Sequence, residues 1–475
     1  MPWTDALVRV AEDGTTVGLI RDNELVVELA WVGTRGAPAE FEADGEVEHT
    51  LSTPEGRVLQ RQTVNGAWRS RWVLVREVNR PCAVEDRLRV RPGPEYSLWS
   101  WGTGVTAVLA VAPAHSAGPV LGLRLEQGYL EEFGTPSATS SAVDYLVTPA
   151  GDELSPGQRL VTALVADWYQ TLDLLAGRLP PWLDDTQLDD GESWEADIAD
   201  FGLDAPAEVA VHYLEGLVGV TAPVGRWTLD VQTPRGLSRV PLEWVPGDEA
   251  VLRAVASGAL ERGTNLSVPE ALCIQSGAER RALWLDSRAE DQLDRVDWAA
   301  GESILGVAFA FARARAQGEA MMVSDALRLL ARLPVGVGYG RTVMAGWLAS
   351  LSLGLDARER CLELLGRSAV GRTAALESSL LHYRSAEFGA AELAGVANRL
   401  GGVLPGQAPL LSWTEKAQLV GLLQLCPGEW DGASHHARVA QKARRQVLCA
   451  YADTRIEDAE PLAWLLLSPD VRPGA

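Results

Sequence analysis

Carboxylates crowd one stretch of this chain. Asp286, Glu290, Asp291, Asp294, Asp297 and Glu302 fall between Trp284 and the start of a long apolar-periodic segment, with Trp298 among them. If the stretch is helical, Glu290, Asp294 and Asp297 share one face, being four and three apart. Clustered carboxylates beside a tryptophan have a chemistry. Glycoside hydrolysis needs one carboxylic acid to protonate the leaving oxygen and one carboxylate to activate water or attack carbon. Asp297 and Glu302 are the first choices for these roles, with Asp294 in reserve. They flank the start of a helix, whose N-terminus lowers the pKa of a nearby carboxyl, while burial near Trp298 raises another. Opposite shifts of that kind separate base from acid. The structural alternative is a solvated acidic face in which Asp297 caps the next helix.

A second candidate is the run from Leu333 to Thr342, where Gly336, Gly338 and Gly340 precede a helix. Free backbone N–H groups at such a start can face an anion, and Arg341 would add a charge. The alternative is a flexible interhelical loop. The glycines do not form a dinucleotide-binding fingerprint, since they fall at every second position and no strand precedes them. His435 and His436 are adjacent, so on a helix they diverge by about 100° and cannot chelate one metal together. His382, near Glu377 and Glu387, reads as a hydrogen-bonded structural residue. Trp298, Trp347 and Trp413 are candidate sugar platforms, against the alternative of core packing. No G-x-S-x-G, H-E-x-x-H or G-x-x-x-x-G-K-[ST] motif occurs, and no metal or cofactor is expected.

The elements that must position these residues change character near residue 250. Before it, apolar residues alternate with period 2. Leu88 and Val90 face one way, and Arg87, Arg89 and Arg91 the other; Leu121, Leu123 and Leu125 alternate with Gly122, Arg124 and Glu126. Such strands bury one face and wet the other. After it, the spacing predicts helices near 250–259, 299–317, 323–332, 342–353, 356–366, 370–384, 389–400, 414–425, 434–452 and 457–467, broken by Gly and Pro. The expected order is an antiparallel β-sandwich over 1–182, a small β-sandwich module with an acidic linker over 183–249, and an α/α helical-hairpin domain over 250–475. The acidic run over 183–205 lacks EF-hand order and reads as a solvated linker and edge strand.

Composition narrows the partners. The chain has 475 residues and a formal net charge of -22, which repels nucleic acid and anionic membrane. Neither is an expected partner. Seventeen Trp against eight Tyr and six Phe would suit a carbohydrate ligand, because flat rings stack on sugar C–H faces. A GC-rich bacterial genome would produce the same bias. Cys82, Cys273, Cys361, Cys426 and Cys449 lack paired spacing and read as reduced thiols. With no signal-peptide pattern at the N-terminus and no apolar run long enough to span a bilayer, a cytoplasmic location is expected.

The order of a β-sandwich, a connecting segment and a helical domain resembles bacterial glycoside hydrolases and phosphorylases built from a β-supersandwich and an (α/α) toroid. The run from Leu154 to Arg159 before a last strand looks like the close of a galactose-mutarotase-like sandwich. The resemblance is architectural and implies a partial toroid whose mouth holds the acid and base. It leads to an intracellular glycosidase acting on an oligosaccharide or glycoconjugate. The other open reading is a non-enzymatic interaction protein that presents a helical face to a partner.

Overall fold

The computed structural model describes residues 6–11, 14–32, 40–41, 46–53, 56–77, 82–83, 86–101, 103–134, 141–183, 185–263, 265–381 and 386–467. The architecture is β, then α. The last strand ends at Val245, and the first long helix begins at Asp248. Pro246 and Gly247 lie between them, where a residue without an N–H and one without a side chain end the ladder. Two compact units result.

The first unit comprises Met1–Pro223, Trp227–Leu242 and Ala394–Ser412. A six-stranded sheet runs in the spatial order Ala6–Val10, Thr16–Arg21, Glu24–Trp31, Arg87–Pro92, Val143–Leu146, Glu131–Glu132. An eight-stranded sheet runs Tyr96–Trp101, Val108–Pro113, Val120–Gln127, Arg159–Tyr169, Trp68–Arg76, Gly56–Val64, Glu46–Thr53, Glu40–Phe41. The period-2 pattern sets which faces meet. Val17, Leu19, Leu29 and Leu88 of the first sheet share one core with Trp72, Leu74, Leu121 and Leu164 of the second. Each such side chain stabilises the fold by about 1.5–3 kcal/mol through removal from water. Trp31 and Trp72 meet with ring centroids 6.4 Å apart. Asp86 then satisfies two buried donors, Trp31 Nε1 at 3.0 Å and Arg76 Nη2 at 2.9 Å. A short helix, α1 (Leu172–Ala176), capped by Thr171, follows the longest strand.

One part of this unit comes from far along the chain. Gln407 exchanges backbone hydrogen bonds of 2.8 and 2.9 Å with Ser100, and Asn398 Nδ2 donates to the carbonyls of Pro113 and Ser116. A Cβ on Gly395 would lie 2.5 Å from the Ala114 carbonyl oxygen, so only glycine permits this approach. Three smaller sheets complete the described part of the unit, one of them the pair Glu153–Leu154 and Cys82–Ala83. Trp194–Ala196, Leu217–Thr221 and Ala210–Leu214 form the second, and Gln187–Asp189 and Gly202–Asp204 join the third.

The second unit comprises Val224–Arg226, Glu243–Leu393 and Trp413–Ala475. Its helices are α2 (Asp248–Arg262), α3 (Val268–Glu279), α4 (Ser287–Asp294), α5 (Ile304–Gln317), α6 (Ala320–Leu330), α7 (Tyr339–Ser352), α8 (Arg358–Leu365), α9 (Arg372–Leu381), α11 (Trp413–Leu423), α12 (Ala433–Ala452) and α13 (Glu460–Leu466); the chain leaves this unit within α10 (Ala386–Arg399). Helix α3 is absent from the sequence-based expectation. Its start carries a capping box, with Ser267 and Glu270 exchanging hydrogen bonds, and Pro269 in the first turn. Helix α5 packs on α3, α6 and α7, and α13 packs on both α3 and α11. Val307, Phe311, Leu330, Val343 and Leu364 form its core. Among the described residues, no helix is long and apolar enough to cross a membrane. Cys273, Cys361, Cys426 and Cys449 are free thiols, and the Cys82 side chain lies outside the description.

His436 on α12 is buried, and burial, helped by the neighbouring His435, pushes its pKa down to about 4 from 6.5. The folded state therefore holds it neutral where the unfolded chain would be protonated. Its contribution is intact above pH 6.5 and is lost as pH falls toward 4. The pH dependence of urea unfolding should accordingly be flatter between those values in His436→Gln than in the wild-type protein. Parallel profiles would contradict this.

Candidate functional site

The acidic stretch is built around an arginine. Glu290 and Asp294 lie one turn apart on α4, and both face Arg313 of α5. Arg313 Nη1 is 2.6 Å from Glu290 Oε2, and its Nη2 is 2.6 Å from Asp294 Oδ1. The guanidinium is buried and also donates to Gln275 Oε1 at 3.3 Å. The hydrogen bond from Arg313, aided by one from Gln317, holds the Asp294 carboxyl below the usual carboxylate range. Asp294 is thus an acceptor that keeps a buried cation paired.

The other expected carboxylates sit apart from that pair. Helix α4 ends at Asp294, so Asp297 does not continue its face. Asp297 is exposed, and its Oδ1 accepts the Ala300 N–H at 3.1 Å in a turn. The cap of α5 is Ser303 rather than Asp297, accepting from the Gly306 N–H at 3.0 Å. Gly306 lets that turn lie close to the first turn of α5, since a Cβ there would come within 2.3 Å of the Trp298 carbonyl oxygen. Glu302 is exposed with φ 45°, a left-handed conformation in this turn. Trp298 is half-buried beside the core, as is Trp347. Trp413 is half-buried with Lys416 Nζ 4.6 Å and the Arg455 guanidinium 5.4 Å from its ring centroid.

The glycine-rich segment is ordered by an internal anion. Gly338, at φ 83°, begins α7, and no side chain caps it from within the segment. Glu377 of α9 supplies the missing acceptor: its Oε2 takes the Gly338 N–H at 2.7 Å and its Oε1 the Arg341 N–H at 2.8 Å. A helix N-terminus with free N–H groups favours such a carboxylate. A Cβ on Gly338 would meet the Trp464 ring at 2.4 Å, so glycine is required there for space as well as for φ. The Arg341 side chain is fully buried, with Nε 3.5 Å from Glu377 Oε2. Its Nη1 and Nη2 have no hydrogen-bond partner among the described residues. It also forms part of the wall of a cavity of about 630 Å³ with Leu272, Phe311, Leu348, Leu467 and Arg280. Sequence reasoning marked Arg341 but not Glu377, because the pair meets only through the packing of α7 on α9. His382, which follows α9, lies outside the described residues.

A second cavity, of about 760 Å³, lies in the first unit. Trp182 and Trp194 meet there edge to face at 6.5 Å, beside Asp185, Glu192, Glu195 and Asp197. Trp194 is buried and Trp182 half-buried. Trp182 immediately precedes the acidic run and Trp194 lies within it, a signal in the sequence that the linker reading does not use. Neither Asp297 nor Glu302 lines either cavity. Among the described residues, no group of three or more His, Cys, Asp or Glu is placed to hold a metal ion.

The chain's likeness to known proteins is a likeness of fold. No family model matches the sequence, and no curated protein matches it. A solved polysaccharide lyase superposes with a TM-score of 0.57 at 12% identity, covering 92% of this chain and 82% of that one. The glycoside hydrolase of family 81 from Clostridium thermocellum aligns at 10% identity over 97% of this chain and 83% of its own, with a TM-score of 0.24. A TPR-domain protein from Parabacteroides distasonis aligns at 10% identity over 97% and 88%, with a TM-score of 0.26. The β-then-α architecture expected from the sequence is therefore shared with a carbohydrate-active enzyme.

Replacing Asp294 by alanine removes two charge-assisted hydrogen bonds from a buried guanidinium. Asp294→Ala should destabilise the protein by about 1.5–3 kcal/mol in denaturant unfolding. A change below about 0.5 kcal/mol, the range of an ordinary surface substitution, would contradict the structural role.

Proposed function

We propose that this chain is a carbohydrate-active protein. The observation that carries the reading is the fold, which superposes on a polysaccharide lyase over 92% of the chain. Fold alone does not fix a reaction, but local features agree with a sugar ligand. The cavity at Trp182 joins an aromatic ring to several carboxylates, and sugars are held by ring stacking and by acceptors for their hydroxyls. The finer proposal is a cytoplasmic bacterial glycoside hydrolase acting on an oligosaccharide or glycoconjugate. Asp297 and Glu302 would be its acid and base, with Asp294 in reserve. Trp298, Trp347, Trp413 and Arg341 would bind substrate. The partition into 1–182, 183–249 and 250–475 belongs to the same proposal.

The second reading is a non-enzymatic interaction protein. The exposure of both Asp297 and Glu302 favours it, because an acid with a raised pKa needs partial burial. Cleavage of a broad panel of aryl-glycosides and polysaccharides separates the two. On the hydrolase reading the wild-type protein releases reducing ends, and Asp297→Asn or Glu302→Gln lowers the rate by about 10²-fold or more with the fold intact, the scale of acid–base catalysis. Wild-type rates in both variants would remove these residues from the chemistry. No cleavage by the wild-type protein across the panel would leave the interaction reading.

A further inference from the structure

Trp194 carries an unused donor. The residue is only 2% exposed, and its Nε1 has no hydrogen-bond partner among the described residues. The indole N–H is not sealed in the core, so it meets the cavity that Trp194 lines. Donors on buried side chains are paired in nearly all folded proteins, and a ligand oxygen in the cavity would pair this one. Trp182 adds a ring. It is half-buried and meets Trp194 at 74° between planes, so the two indoles form a corner of the cavity. An aromatic face packs on C–H groups and attracts a cation through its quadrupole. At about 760 Å³ the cavity falls within the range of small-molecule sites, about 300–1,000 Å³.

The charge around this corner has one sign. Asp185, Glu192, Glu195 and Asp197 line the cavity and are exposed, and among the described residues no Lys, Arg or His lines it. The sequence has no basic residue from Leu179 to Val211. Asp185 Oδ1 accepts the Gln187 N–H at 3.1 Å, and Glu192 Oε2 accepts the Asp189 N–H at 2.7 Å. Glu195 and Asp197 have no partner among the described residues. A wall of this charge repels a uronate or a phosphorylated sugar and attracts a cation. Among the described residues no three carboxylates converge as ligands of a metal ion. Negative charge spread beside an aromatic ring suits an organic ammonium. Its N–H groups donate to carboxylates, and its neighbouring C–H groups lie on the ring.

We propose that this cavity binds a sugar bearing a free, protonated amino group. The ring of the sugar stacks on Trp182, a sugar oxygen accepts the Trp194 N–H, and the ammonium faces Glu195 and Asp197. This narrows the carbohydrate reading, on which it rests, to a cationic sugar.

Titration calorimetry of the full chain with four probes tests it. The probes are the glucosamine disaccharide, its N-acetylated form, cellobiose and putrescine. The N-acetylated form keeps the sugar rings and loses the charge, and putrescine keeps two ammonium groups and loses the rings. The glucosamine disaccharide should bind saturably at one site, about tenfold or more tighter than each of the other three. Added salt should shrink that margin, because the carboxylates are exposed. Trp182→Leu, with its melting temperature as a control on folding, should weaken binding of every sugar. Glu195→Gln combined with Asp197→Asn, at exposed positions, should lower affinity for the glucosamine disaccharide and leave the N-acetylated form unchanged. Equal affinity for the charged and N-acetylated disaccharides would overturn the proposal and leave the carbohydrate reading standing. Putrescine binding as tightly as the glucosamine disaccharide would overturn both at this cavity, as would absence of binding by every probe. Wild-type affinity in the Glu195 and Asp197 double variant would overturn the assignment of the ammonium to these carboxylates.

Discussion

A buried arginine stays charged, so burying it is costly unless an anion is held beside it. In the helical unit that anion is Glu377, and the local structure around α7 follows from the requirement. The carboxylate lies at 1% exposure, accepts the first N–H groups of α7, and stands 3.5 Å from the Arg341 Nε. One group thereby caps a helix and pairs a charge. The arrangement demands glycine at 338, where φ is 83° and the Trp464 ring packs against the backbone. Desolvating two charges is costly, and removing one partner of such a pair costs about 3–5 kcal/mol. Geometry that tolerates neither a side chain at Gly338 nor a missing carboxylate at Glu377 is therefore tightly specified.

The same logic recurs at two other buried arginines. In the first unit, Asp86 takes hydrogen bonds from both Arg76 and Trp31, joining a charge to the aromatic part of the sandwich core. In the second, Glu290 and Asp294 flank Arg313 while Gln275 takes a further donor. Clustered carboxylates thus have two uses in one chain. Some neutralise a buried guanidinium, and others, as in the cavity at Trp182, face open space. Sequence spacing alone does not separate these uses, because the deciding arginine is distant in sequence.

What was legible in the sequence is what leaves a local trace. Alternation placed Leu88 and Val90 inside and Arg89 and Arg91 outside, as the structure has them. Helical periodicity and glycine breaks located the segments now seen as α2 and α5 through α13. Helix α3 was missed although Ser267 and Glu270 spell a capping box, because its short apolar run lacked the longer periodicity seen elsewhere. Long-range contacts left no trace. Nothing near Gln407 announces its pairing with Ser100 across hundreds of residues, so the return of 394–412 to the β unit was unreadable. The partner of Arg341 lies 36 residues downstream on another helix. The role of Asp294 depended in the same way on Arg313, 19 residues away. Candidate residues could be nominated by type, but their roles were set by packing.

The account's central claim is that the buried charge of Arg341 is held by Glu377 as an energetically coupled pair. A double-mutant cycle on denaturant unfolding, using Arg341→Met, Glu377→Gln and the double variant, tests it most directly. The account predicts a coupling energy of about 1–3 kcal/mol, with the double variant less destabilised than the sum of the single ones. Additivity to within about 0.5 kcal/mol would contradict it.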